Sequence, residues 1–225
     1  MPVTTTPAAE QTSDSLAEIA YRRIEEMIVT RELLPGSMIS ENQLADELNC
    51  GRTPIREALQ RLKLEGFIEI HPRRGALVTP VDVMRQLELL EVRRPLEDLV
   101  ARLAAERATP DERREMLRLA DEITAAAERG DQRAYLSANR AIHDIRTKAS
   151  RNAMLSRTMG LVLGLSRRFW YAYIQDTGSF TIAAALHNDI LRAIAAGSAQ
   201  DAAAHVTRLL DFLESLTRRA IERQL

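Results

Sequence analysis

Between Ser40 and Val78 the chain sets out an order of local signals that few folds accommodate. Ser40 with Gln43 three positions later reads as a capping box opening a short helix, about Glu41 to Leu48. Asn49-Cys50-Gly51 then supplies a tight turn, because Asn and Gly tolerate positive φ. A second helix follows at once, about Thr53 to Glu65, with Pro54 where no amide donor is needed and Gly66 as its stop. After it, "FIEIHPRRGALVTPV" places β-branched and aromatic residues on both sides of a Pro-Arg-Arg-Gly turn, the pattern of a two-stranded ribbon. Upstream, Leu16, Ile19, Ala20, Ile24, Met27 and Ile28 recur at helical spacing behind Ser15 or Asp14 as cap, and Pro35-Gly36 breaks that helix. Three helices, the last two joined by three residues, and a hairpin make a winged helix-turn-helix over residues 15–79.

Charge falls where such a fold would present it. The chain has a net charge of −1, yet residues 51–75 hold Arg52, Arg56, Arg61, Lys63, Arg73 and Arg74 against Glu57, Glu65 and Glu69. The second helix of a helix-turn-helix lays its N-terminal part in the major groove, so polar side chains must face out and apolar ones back. Periodicity turns Leu59, Leu62 and Phe67 inward and Arg52, Thr53, Arg56 and Gln60 outward. Arginine pairs bidentately with guanine, and threonine or a helix N-terminus holds phosphate. Arg73 and Arg74, at the hairpin tip, would reach the backbone or the minor groove.

Residues 80–82 form a short Pro-containing linker, and from 83 to 225 only helical signals appear. Six helices are expected, near 83–107, 111–129, 131–149, 152–174, 179–196 and 199–223, punctuated by Thr109-Pro110-Asp111, Gly130-Asp131 and Gly197-Ser198. Aromatics are only 4% of the chain, and the recurring Ala, Leu, Arg and Glu lose little entropy in helices. The fold class is therefore mainly α, a winged helix-turn-helix followed by an antiparallel helical bundle. Within it Arg93 interrupts the apolar seam Leu89, Leu96, Val100 and Leu103, and a charge there needs a partner. Asn139 and His143 share a core-facing stripe with Leu136 and Ile142, as His187 does with Ala183, Ile190 and Ile194. Facing helices of a bundle are where ligand and metal sites are built.

The first fourteen residues, "MPVTTTPAAEQTSD", read as a disordered tail with neither a basic nor an apolar leader segment. One cysteine, Cys50, permits no intramolecular disulfide and no Cys-based zinc cluster, and no run of eighteen apolar residues occurs. These features point to a cytoplasmic protein without a membrane partner.

"SENQLADELNCGRTPIREALQRLKLEGFIEIHPRRGALV" resembles the DNA-binding domain of the GntR family of bacterial transcription regulators, with its L-A-x-x-L, R-T-P-V-R-E-A-L and glycine-tipped wing. The resemblance implies base or phosphate contacts from Arg52, Thr53 and Arg56 and a backbone contact at Gly75. It departs at Gly51, where a capping Ser is usual, and at Asn42, an arginine contact in some members. Cys50 takes a usual aliphatic position and reads as a small packed hydrophobe. "LLEVRRPLEDLVARLAAERAT", "NRAIHDIRTKASRN" and "LHNDILRAIAAGSAQDAAA" resemble the FCD domain of the FadR branch, and six helices suggest its VanR-like subgroup. One wing-helix unit buries only a modest surface against a genome of other sites, so a homodimer on a palindromic operator is expected, a repressor or activator of transcription; the resemblance implies a small organic acid as effector. It also implies a divalent metal, zinc or nickel, on one Asp and three His. Here Asn139 replaces the Asp and Leu209 stands where the third His belongs, leaving His143 and His187. An amide and two imidazoles are a weak donor set. The expectation is instead a polar pocket of Arg93, Asn139, His143 and His187 taking the carboxylate directly, with Trp170 and Tyr173 as walls. A helical metalloenzyme with a DNA-binding head is the rival reading; no His-Glu-x-x-His, Glu-x-x-His, phosphate loop or serine elbow accompanies it, so no enzyme is expected.

Overall fold

The computed structural model describes residues 15–173 and 177–222 of the 225, and the expected tail of residues 1–14 lies outside them. The chain divides into two compact units between Pro80 and Val81. In the first, α1 (Leu16–Val29) is followed by β1 (Met38–Ile39), α2 (Glu41–Glu47), α3 (Arg52–Leu64), β2 (Ile68–His71) and β3 (Gly75–Val78). The Ser15 hydroxyl accepts from the Glu18 amide at the start of α1. From there Ala20, Ile24, Met27 and Ile28 bury one face of α1. That face packs on Ile55, Ala58, Leu59 and Leu62 of α3, with Leu44, Phe67, Ile68 and Val78 completing the core.

Two local expectations are corrected. The ribbon is a three-stranded antiparallel sheet in the order β1-β3-β2, with Met38 opposite Leu77 and Ile39 opposite Ala76. A strand of two residues is too short to show alternation, so the sequence gives no sign of it. Ser40 does occupy the N-cap of α2, but its side chain makes no capping bond. β1 has a geometric effect on the wing. Gly75 has φ +104° and passes β1 so closely that a Cβ there would lie 2.4 Å from the Ile39 carbonyl oxygen, so only glycine fits.

In the second unit α4 (Val83–Arg107), α5 (Pro110–Glu128), α6 (Gln132–Ala149), α7 (Ala153–Tyr173), α8 (Thr177–Ala195) and α9 (Ala199–Glu222) are the described elements, with no strand among the described residues. Thr109 and Glu112 close a reciprocal capping box around Pro110. α4 lies against α6, α7, α8 and α9, which is why it shows no single apolar stripe. Ala101, Ala104 and Ala105 let neighbouring helices come close to it, and Met116, Ile123, Ile142, Ile190, Ile194 and Leu209 fill the shared core. A smaller cluster, Val100 with Leu155, Met159 and Leu163, joins α4 to α7. No helix among the described residues is long and apolar enough to cross a membrane.

Candidate nucleic-acid interface and effector pocket

α3 is apolar on one side and polar on the other. Ile55, Ala58, Leu59 and Leu62 are buried, while Arg52, Thr53, Arg56 and Gln60 are exposed at spacings of three and four. Asn42 on α2 is exposed too, as are Arg73 and Arg74 in the turn between β2 and β3. That turn closes through the Arg74 amide donating to the His71 carbonyl, with Arg73 at φ +65°. Gly51 caps α3 without a side chain, so no side chain competes for the first amides of the helix. Arg56 donates through Nε to Glu41 Oε2 at 2.8 Å, a pair exposed on both sides and worth about 0–1 kcal/mol. A phosphate or a base edge can displace it at little cost.

Arg61, counted by the sequence among the basic residues of this segment, is committed elsewhere. Its guanidinium lies 3.6 Å from the Tyr21 ring centroid, and donates to Glu18 at 2.7 Å and to Glu65 at 3.0 Å. The Tyr21 hydroxyl donates to Glu65 at 2.7 Å; burial, then the nearby Glu25 and Glu65 carboxylates, push it well above its usual range. Arg61 therefore ties α1 to α3. Glu65, one helical turn beyond Arg61, was the available sign.

In the helical unit the expected pocket residues come from four helices. Arg93 on α4, Asn139 and His143 on α6, Trp170 on α7 and His187 on α8 line one cavity with Ser166, Arg167, Tyr135 and Phe180. Tyr173 does not line it; its ring stacks on Phe169 with centroids 5.0 Å apart, and its hydroxyl donates to the Val81 carbonyl at 3.1 Å. The cavity is small, about 30 Å³, room for water rather than a metabolite. Beside it lies a larger chamber of about 270 Å³, lined by Ala126, Ala127, Gly130, Asp131, Gln132 and Tyr171. Tyr135 and Phe180 belong to both walls and meet edge to face at 4.8 Å.

Two residues that sequence reasoning passed over organise the charge. Glu97 accepts from Arg93 Nε at 3.0 Å and Nη2 at 2.9 Å through one oxygen, and from Arg146 Nη2 at 2.6 Å through the other. Arg146 is fully buried and Glu97 is 1% exposed. Arg93 Nη1 also donates to Ser166 Oγ at 2.9 Å, which receives Gln86 Nε2 at 3.2 Å. Burial would raise the Glu97 carboxyl, but Arg146 and Arg93 outweigh it and hold the group well below the usual carboxylate range. The imidazoles respond in the opposite sense. Burial pushes His143 well down, more than Glu97 at 3.6 Å raises it, and burial together with Arg146 brings His187 to about 3. Both rings are thus neutral at pH 7. They meet edge to face at 5.4 Å, and Asn139 Nδ2 lies 2.9 Å from His187 Nε2, which the neutral ring offers as acceptor. The available signs were positional, Glu97 one turn after Arg93 and Arg146 three residues after His143.

These residues do not fit a divalent metal. Leu209 is buried in the apolar core, and among the described residues no group of three His, Cys, Asp or Glu side chains is placed to hold an ion. His187 Nε2 is taken by Asn139, His143 Nδ1 faces Glu97, and two guanidinium groups lie against that carboxylate. His205 is no substitute, with Nδ1 3.7 Å from Asp189 on another part of the surface.

Residues 16–78 match the family model described as bacterial regulatory proteins, gntR family, and residues 88–212 match the FCD domain. An uncharacterized HTH-type transcriptional regulator from an unstable DNA locus of Streptomyces ambofaciens is 38% identical over 77 residues, 34% of this chain and 33% of that protein. The Nta operon transcriptional regulator of Aminobacter aminovorans is 40% identical over 86 residues, 38% of this chain and 41% of its own. The matches thus span a third to two fifths of these relatives' lengths. Among solved structures, E. coli McbR/YncC superposes with a TM-score of 0.79 at 21% identity, covering 92% of this chain and 99% of that one, a likeness of fold.

Proposed function

The chain belongs to the gntR family of bacterial regulatory proteins, with an FCD domain as its larger part, and is a DNA-binding transcriptional regulator of that type; on that premise we propose that two copies pair on a palindromic operator and that a small carboxylate metabolite in the helical unit sets their affinity for it. The observation that carries the DNA half is the polar face of α3, where Arg52, Thr53, Arg56 and Gln60 stand out over a fully apolar back. Arg52 and Arg56 read base edges, Thr53 and the open amides of α3 hold phosphate, and Asn42, Arg73, Arg74 and the Gly75 backbone flank them. One such unit contacts few base pairs, so two-fold pairing supplies the discrimination against a genome of other sites. On this reading the chain acts by binding, as a repressor or activator in the bacterial cytoplasm, rather than by turning over a substrate.

The effector half rests on Arg93. Its guanidinium faces the cavity and shares Glu97, its carboxylate partner among the described residues, with Arg146. A ligand carboxylate at Arg93 and Ser166 completes that charge pattern, with Asn139 and the neutral His143 and His187 as further hydrogen-bond partners and Trp170 as a wall. About 30 Å³ admits the carboxylate head alone. The body of the acid occupies the adjoining chamber once the Tyr135–Phe180 pair parts. Arg52→Ala and Arg56→Ala should each weaken operator binding by about 1–3 kcal/mol and relax preference at one base pair. Equal losses on operator and scrambled duplexes, measured by fluorescence anisotropy, would remove base reading from these side chains.

A further inference from the structure

The cluster behind the cavity has an unbalanced charge. Arg93, Glu97 and Arg146 are all at least 97% buried, and one carboxylate serves two guanidinium groups. Glu97 gives its shorter contact, 2.6 Å, to Arg146. Among the described residues Arg146 Nε and Nη1 are buried without a hydrogen-bond partner, so Glu97 is the acceptor it draws on there. Arg93, which lines the cavity, donates to the same carboxylate through Nε and Nη2 and so shares one negative charge with a second guanidinium. The charges of Arg93, Glu97 and Arg146 sum to one positive unit, which disfavours a cation between His143 and His187 and favours an anion beside Arg93.

We propose that Arg146 is a resident cation which, by sharing Glu97 with Arg93, leaves the cluster one positive charge in excess and makes the cavity a metal-independent receptor for a single carboxylate group. Arg146 is a positioning residue here. It does not line the cavity and acts through Glu97 on Arg93. The reading rests on the effector pocket described above and specifies its chemistry: one carboxylate at the inner end, and no metal between ligand and protein. If Arg146 were apolar, Arg93 and Glu97 would form a neutral pair and the call for an anion would vanish.

The probe is acetate, the smallest carboxylate, titrated into the full-length protein after treatment with EDTA and followed by the ring-nitrogen NMR signals of His143 and His187. Wild type should shift saturably with acetate and stay unmoved by equimolar zinc. Arg146→Met should bind acetate about tenfold more weakly or worse, and Arg146→Lys, which keeps the charge, should recover most of the affinity. Because Glu97 keeps its ion pair with Arg93 and no buried charge is left uncompensated, Arg146→Met is expected to remain folded, and Arg146→Lys decides the matter if it does not. Acetate binding equal in wild type and Arg146→Met, no saturable acetate shift in wild type, or zinc binding at micromolar concentration would each overturn the proposal. Operator binding plays no part in this readout. A cavity that takes acetate as described while operator affinity ignores every acid would sink the regulatory reading alone.

Discussion

At the scale of single residues, arginines of one chemical type do three different jobs. Arg56 waits in an exposed pair with Glu41, Arg61 is fixed over Tyr21, and Arg146 is sealed in the bundle. The sequence told Arg56 apart through its helix face, but not Arg61 or Arg146, because their partners arrive from distant parts of the chain. Tyr21 is 40 residues from Arg61, and Glu97 is 49 from Arg146. Removing the shared anion should be costly. Glu97→Gln leaves two buried guanidinium groups facing each other and should destabilise the chain by about 3–5 kcal/mol in urea unfolding. A loss within 0.5 kcal/mol would mean that water, rather than Glu97, balances them. Gly75→Ala should also destabilise, by about 1–3 kcal/mol, through a Cβ forced against the Ile39 carbonyl at positive φ. Its wing amide signals should broaden or move while those of the helical unit stay in place, and an unchanged melting curve would show that the wing yields freely.

At the scale of elements, what the sequence foretold best were the starts and stops. Pro110 and Gly66 stand where a helix begins and ends, because backbone constraints at Pro and Gly act locally. The Thr109–Glu112 box should be worth about 1 kcal/mol, read as the loss on Thr109→Ala in thermal unfolding. Its carboxylate also carries a pH dependence. Burial would raise Glu112, but hydrogen bonds from Arg151 and from Thr109 hold it below the usual range. A lowered folded-state pKa means that its stabilisation is present above the unfolded value, about 4.3, and fades as pH falls below it. Glu112→Gln should therefore cost stability at pH 7, under about 1 kcal/mol for so solvent-screened a group, and almost nothing at pH 3. An equal cost at both pH values would assign the effect to packing. One element escaped the sequence, β1, and one expected feature, the side-chain cap of α2, is not formed. The first exists only through its pairing with β3, and Ser40 has the right residue type without the bond.

For the whole molecule, the proposed regulation couples acid binding in the helical unit to operator binding by the other unit. The proposal fixes the expected size of that link at about 1–3 kcal/mol, a five- to 150-fold change in operator affinity on adding the acid. Arg93→Ala should bring that ratio close to one, measured by titrating operator with and without a saturating carboxylate; an undiminished ratio would place the effector elsewhere. The sequence alone determined the helical character of both units, the outward face of α3 and the core-side placing of Arg93, His143 and His187, since each follows from period, backbone stereochemistry or residue type within a few turns. Only the tertiary structure decided that Glu97 and Arg146 stand behind Arg93 without lining the pocket, that Tyr173 lies outside it and that Leu209 belongs to the apolar core. Which charge meets which, and whether it does so in water or in a dry interior, depends on helices brought together from opposite ends of the bundle, and no local pattern encodes that distance.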